Sequence, residues 1–379
     1  MIALLVASQW KRIIYLISQD FWLLVLVSIA VFSVAWSVAP GSTLPSIRGL
    51  IRLSLYGVYL AARYSLSEQM TLIGVVCLLS GLFSILIAVG NPTQGTQVLQ
   101  GQTVWKGIFP HKNFLSRVMT MSSLLFLNFA TDRSQQRNKL FVWTGLIVSI
   151  FLVLLTQSKT ALSALSITYC LSIFYVVSRQ KFRIKAALFA IVILIVSLIG
   201  LLIFGNIEYI VIDLLGKNLE FNGRLPLWQL GLDKALERPW LGYGYDAFWN
   251  SDESIYVINN SWGKSFANHN TSSNFNIHNG YLELFISLGF IGTFVYLLCF
   301  VRDLVKAFII INVKKDSQAF WLLQYLVFTL LFNMAVGSTI LAASNILWSI
   351  YISISLAITS SFKKLSRRTS MRMLKENQF

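Results

Sequence analysis

Three histidines occur in 379 residues, and one has an unusual setting. His278 stands in His278-Asn279-Gly280-Tyr281-Leu282-Glu283-Leu284, directly before the apolar stretch 285–300. Imidazole is the side chain best suited to move protons near neutral pH. At the mouth of a transmembrane helix, beside an amide, it points to chemistry or to ion binding at that membrane surface. Basic residues fall near the same surface. Arg48 and Arg52 are one helical turn apart. Lys106, His111 and Lys112 precede another apolar run, and Asn113 and Arg117, at i and i+4, share a helical face inside it. Lys159 sits in Gln157-Ser158-Lys159-Thr160, a turn too short to be a solvated loop, and Arg224 opens a helical segment in the longest polar loop. A charge at such depth faces a cavity or a partner, or it snorkels to headgroup phosphates. Few carboxylates accompany this set, so the cluster wants an anion. Guanidinium and ammonium groups are natural clamps for a diphosphate. A metal centre is a poorer fit, because His269 and His278 with Asp252 or Glu253 match no common ligand spacing.

The elements that must hold these residues are membrane helices. The chain is 56% hydrophobic and only 12% charged, against about 25% charged in a soluble domain. This predicts an all-α polytopic membrane protein. Apolar segments of spanning length recur about ten times, at 21–38, 47–63, 69–90, 113–130, 140–157, 160–178, 184–204, 279–301, 319–337 and 342–360. Basic residues alternate by side. Lys11, Arg12, Arg63, Arg133, Arg137, Lys139, the run from Arg179 to Lys185, Arg302, Lys306, Lys314, Lys315 and the tail mark one set of loops as cytoplasmic. Both termini are then inside, and the long loop 205–277 is extracytoplasmic. The resulting organisation is a membrane bundle over 1–204, the loop over 205–277, three further spans over 278–360 and a basic tail over 361–379. The net charge of +16 follows from this topology and not from nucleic-acid binding. The three cysteines fall in apolar runs and read as small buried hydrophobes. No small-residue cleavage site follows the first apolar run.

Within the loop, Arg224 to Glu237 reads as a helix stopped by Arg238-Pro239, with Leu227, Leu230 and Leu236 on its apolar face. Trp228, Trp240, Tyr243, Tyr245, Phe248 and Trp249 are expected to anchor at the membrane interface or to stack on sugar rings. Gly242 and Gly244 make a tight turn; a phosphate-binding loop is the weaker alternative.

Four blocks, in this order, resemble the O-antigen ligase and Wzy-type polymerase superfamily, particularly its exopolysaccharide-production branch. They are Trp105 to Asn113; Thr156 to Ala161; Asn222-Gly223-Arg224 to Trp228, leading to Pro239 to Gly244; and His278 to Leu282. Trp36-Ser37 with Pro40 also fits. The resemblance implies a GT-C-like, metal-independent, cofactor-free, inverting glycosyltransferase of the bacterial inner membrane. Such an enzyme moves a glycan from an undecaprenyl-diphosphate carrier to a glycan or lipid acceptor at the extracytoplasmic face. Carried over to this chain, Arg224 and Lys159 hold the diphosphate and His278 takes the acceptor's proton. Arg48, Arg52, Lys106, His111, Lys112, Asn113, Arg117, Asn279 and Tyr281 complete the expected substrate-binding set. A chain-length regulator and a flippase are further implied partners. Lys159 stands where ligases carry Arg, keeping the charge without the bidentate fork, which favours the exopolysaccharide branch. The rival reading is a transporter of a lipid-linked oligosaccharide or of a small anion such as bicarbonate. The chain shows no clear internal repeat of the kind transporters carry.

Overall fold

The computed structural model describes residues 8–99, 101–132, 138–178, 224–264, 275–314, 317–335, 337 and 339–376. The expected span 184–204, the Asn222-Gly223 pair and His269 lie outside them. In chain order the helices are α1 (Trp10–Ile17), α2 (Phe21–Phe32), α3 (Pro40–Arg63), α4 (Leu66–Gly90), α5 (Lys112–Thr131), α6 (Lys139–Leu155) and α7 (Lys159–Ser178). They continue as α8 (Arg224–Glu237), α9 (Glu253–Asn259), α10 (Gly280–Lys314), α11 (Ser317–Ala335) and α12 (Ile346–Glu376). Among the described residues four helices are long and apolar enough to cross a membrane: α4, α5, α10 and the 346–367 part of α12. The bent pair formed by α1 and Phe21–Ala35, at 96°, makes a fifth if it is one span. The chain is thus a multi-pass, mainly helical membrane protein. Helices α3, α6, α7 and α11 stand at other expected spans with a shorter or more polar run. Two boundaries differ from expectation. Helix α10 runs on to Lys314 and α12 to Glu376, so the basic stretch after 360 continues a helix. The polar stretch 91–110 holds an antiparallel hairpin, β1 (Thr96–Leu99) with β2 (Gln102–Trp105).

Local chemistry starts the helices. Ser65 and Glu68 form a capping box at α4, with the Ser65 N–H donating to Glu68 Oε2 at 2.7 Å. Pro40 opens α3 at a position where its missing N–H costs nothing. Asp20 caps α2 by accepting the Leu23 N–H.

Side-chain pairs fix which ends meet. Ser122 Oγ lies 2.6 Å from Ser149 Oγ, and Phe126 packs on Phe141, so α5 and α6 are antiparallel. Lys159 therefore opens α7 near the start of α5. Ser317 Oγ donates to Asp132 Oδ2, which sets α11 antiparallel to α5. Tyr281 O–H donates to the Leu330 carbonyl, and Gly280 lies directly against Asn333, so the start of α10 joins the same end. Trp348 Nε1–H donates to Ser54 Oγ and Ser349 Oγ–H to the Leu53 carbonyl, running α3 alongside α12. One end of the bundle thus gathers the starts of α3, α5, α7 and α10.

Helix α10 is broken at Gly289, whose φ of 62° and ψ of −163° are not helical. A break inside a membrane helix strands backbone groups that lipid cannot satisfy. Here the loop run after α8 satisfies them. The N–H groups of Phe290 and Ile291 donate to the Pro239 and Trp240 carbonyls, at 2.7 and 3.2 Å. The carbonyls of Ile286 and Ser287 accept from Tyr243 and Gly244, at 2.9 and 3.0 Å. Gly242 and Gly289 allow this approach: both have positive φ, and a Cβ on Gly289 would sit 2.4 Å from the Trp240 carbonyl. The Gly242–Gly244 turn is therefore a backbone repair and not a phosphate loop.

The loop segment has its own small core. Leu227, Tyr243, Phe248, Trp249, Val257, Ile258 and Ile277 are buried together. Tyr243, Phe248 and Trp249 are thus packing residues, neither membrane anchors nor sugar platforms, and Tyr245 is buried in the main bundle core. Trp240 is 68% exposed, as an interface residue should be, whereas Leu236, expected on the apolar face, is exposed. Trp36 Nε1–H donates to the Leu241 carbonyl at 2.9 Å, so the early Trp36-Ser37 block serves to hold this run in place.

Candidate functional site

The site is built on the segment entering α10. Phe275 to Asn279 run without regular structure, and His278 adopts a left-handed φ of 53°. Its N–H donates to Asn276 Oδ1 at 3.0 Å. Its ring lies 5.7 Å from that of Trp262. Among the described residues its Nδ1 is buried with no hydrogen-bond partner. Asn279 Oδ1 accepts from the N–H groups of Tyr281 and Leu282, at 3.1 and 3.2 Å. Asn279 therefore caps α10 with its oxygen.

Burial pushes His278 down to about 4, and Arg224, His111 and Arg117 push it the same way. These groups act on the imidazole because the fold brings them to it. Arg224 is the first residue of α8, half-buried, and burial lowers its own value. Trp228, one turn on, ties α8 to the site by donating Nε1–H to the Ile277 carbonyl at 2.9 Å. His111 caps α5, its Nδ1 accepting the Asn113 N–H at 3.2 Å. Burial, then Lys112 and Lys106, lowers His111 as well. Arg117 is 4% exposed and lies over the Phe114 ring at 5.5 Å. The result is a neutral imidazole at neutral pH, set near the guanidinium groups of Arg224 and Arg117, with His111 itself lowered toward its neutral form. That arrangement suits an incoming anion beside a free base.

An apolar groove of about 460 Å³ is lined by Trp228, Asn279, Tyr281, Leu282, Phe285, Phe290, Thr293 and Met334, and so reaches the residue after His278 and the residue one turn on from Arg224. Asn279 and Tyr281 both line this groove. Lys159 is exposed at the start of α7, at the same end of the bundle. Arg48 and Arg52 are exposed on α3 and border a different groove with Pro45 and Ile51. The two grooves share no lining residue.

Sequence reasoning missed Glu283. Its half-buried carboxyl, in the first turn of α10, accepts from Trp249 Nε1–H at 2.8 Å and from the Ile277 N–H at 3.4 Å. A carboxylate inside an apolar run was the available signal.

Comparison with known proteins agrees with the motif blocks. Residues 144–297 match the family described as O-Antigen ligase. The chain is 23% identical over 318 residues to the "Exopolysaccharide production protein ExoQ" of Rhizobium meliloti (strain 1021), covering 80% of this chain and 68% of that protein. The resemblance to the O-antigen ligase and Wzy-type superfamily, on its exopolysaccharide-production side, therefore holds. The matched stretch contains Lys159, Arg224 and His278, while His111 and Arg117 lie outside it.

Proposed function

We propose that this chain is an inner-membrane glycosyltransferase that polymerises or ligates glycans. It takes the glycan from undecaprenyl diphosphate and passes it to an acceptor hydroxyl at the extracytoplasmic face. The observation that carries this reading is a neutral His278 near Arg224 and Arg117, next in sequence to Asn279, which lines an apolar groove. The groove suits a polyprenyl chain and the cations suit its diphosphate.

In this reading the bundle has ten spans, including one over 184–204, and both termini are cytoplasmic. The working units are the bundle 1–204, the extracytoplasmic loop 205–277, the spans 278–360 and the tail 361–379. The acceptor hydroxyl gives its proton to the His278 imidazole. Its oxygen bonds to the anomeric carbon from the far side, and the bond from that carbon to the diphosphate oxygen breaks. Inversion follows from that geometry. The charge left on the departing diphosphate is stabilised by Arg224 and Lys159, with Arg117 behind them. Proton removal by a positioned base is worth roughly 10²–10⁴-fold.

The test is His278→Ala in purified full-length protein, reconstituted with an undecaprenyl-diphosphate-linked glycan. Transfer should be lost while donor binding and membrane insertion persist. Normal polymer yield from a stably inserted variant would sink the reading.

A further inference from the structure

The peptide group between Ile277 and His278 is held from both sides. Its carbonyl accepts Trp228 Nε1–H at 2.9 Å, and its N–H donates to Asn276 Oδ1 at 3.0 Å. The peptide before it is held by Glu283, whose Oε2 accepts the Ile277 N–H at 3.4 Å. The same carboxyl takes Trp249 Nε1–H on both oxygens, at 2.8 and 3.0 Å. Trp249 is 4% exposed and belongs to the loop's aromatic core, as does Ile277, which is fully buried. Glu283 therefore joins the aromatic core of the loop to the backbone that carries His278. That backbone needs holding. A non-glycine residue at φ of 53° is strained and persists where its surroundings over-determine it. Packing alone would be served by a leucine at position 283. A carboxyl whose bonds among the described residues go to N–H donors of the loop has a different purpose.

We propose that Glu283 is a positioning residue: by holding the Ile277 N–H and Trp249 together, it keeps His278 in the left-handed conformation that presents its imidazole to Arg224, His111 and Arg117. The inference rests on the reading of His278 as the base. Trp249 is the second leg of the same device, and through it the packing of the loop reaches the site.

The experiment uses full-length protein in proteoliposomes with an undecaprenyl-diphosphate-linked glycan. Glu283→Gln keeps the volume but turns one acceptor oxygen into a donor facing Trp249. It should lower kcat by about 10²-fold, the scale expected of a misplaced catalytic group, with donor affinity unchanged. Trp249→Phe keeps the ring and the Ile277 bond, and should give a smaller loss in kcat with the same unchanged affinity. It also serves where Glu283→Gln does not insert. In a His278→Ala background neither substitution should cost anything further, because both act through His278. Amide exchange at Ile277 should quicken about tenfold in Glu283→Gln, the equivalent of one hydrogen bond. That last readout does not depend on glycan transfer. Wild-type kcat in Glu283→Gln, equal losses in both backgrounds, or unchanged exchange at Ile277 would each overturn the proposal. Full transfer by His278→Ala would instead overturn the functional reading, leaving exchange to decide whether Glu283 holds Ile277.

Discussion

Two groups of charge sit roughly 30 Å apart along α10 and solve the same problem in opposite ways. Near its far end Arg302 meets two aspartates. Its Nη2 lies 2.7 Å from Asp20 Oδ2 and 2.7 Å from Asp303 Oδ1, and both carboxylate side chains are fully buried. Ser355 and Thr359 hydroxyls also donate to Asp20. Opposite charges meet within the chain, and α2, α10 and α12 are pinned by the result. At the near end the groups that lower His278 are the guanidinium groups of Arg224 and Arg117 and the imidazole of His111. The first cluster joins opposite charges from different helices. The second sets two guanidinium groups near a neutral imidazole, and in the proposed function it receives an anion from outside.

The comparison breaks most readily at Arg302. Removing it leaves two buried carboxylates without their cation, and breaking a buried pair in this way costs about 3–5 kcal/mol. Arg302→Ala should lower the thermal midpoint and the folded yield sharply. The fraction that remains folded should keep its kcat, because the cluster lies at the wrong end for chemistry. A stable, folded Arg302→Ala protein that has lost transfer would place function at both ends and remove the distinction.

The near end should respond in the other sense. In Arg224→Ala donor affinity should fall about 10–10²-fold, the loss expected for one or two charge-assisted hydrogen bonds, in protein that still inserts. Lys159→Ala should behave alike, and Lys159→Arg should keep most activity because the charge stays. The double alanine variant should bind donor little worse than the poorer single one, since groups acting on one anion are non-additive. Isothermal titration with a donor analogue measures all four variants. Strictly additive losses would separate Lys159 from the site.

Local signals explain what was legible in the chain. Helix α8 ends at Glu237 because Arg238-Pro239 cannot continue it, and that boundary is readable from residues next to one another. The helical spans were readable because bilayer thickness sets their length. Within the site, the basic set and His278 were visible by type. Their grouping was not, since it depends on which helix ends meet. Arg48 and Arg52 border another groove for that reason, though their spacing on α3 was read correctly. The aromatic run misled because tryptophan and tyrosine serve packing, interface and sugar contact alike. Only the fold shows that Trp249 packs in a core and bonds Glu283. The break at Gly289 was also hidden. A glycine in an apolar helix reads as close packing, and its use here depends on a backbone run some fifty residues earlier.

The subtlest expected difference between the two ends is in pH. His278 has an ordinary value near 6.5, and burial, then Arg224, His111 and Arg117, bring it to about 4. Lowering means that the neutral, proton-accepting form persists down to that pH in the free enzyme. The acid limb of kcat/KM, which reports the free enzyme, should therefore fall near 4 and not near 6.5. Once a diphosphate lies among Arg224, His111 and Arg117, their charge is offset and a negative group stands beside the ring. Both changes favour the protonated imidazole, so the acid limb of kcat, which reports the complex, should lie higher. A base that is weak in the empty site and stronger in the loaded one takes a proton only when there is a glycan to transfer. Arg224→Ala should raise the kcat/KM limb only part of the way toward 6.5, because burial is the larger cause and stays. Arg302→Ala, remote from the ring, should leave both limbs where they are. Coincident limbs for kcat and kcat/KM, or an Arg224→Ala limb that moves downward, would contradict a neutral His278 held among cations.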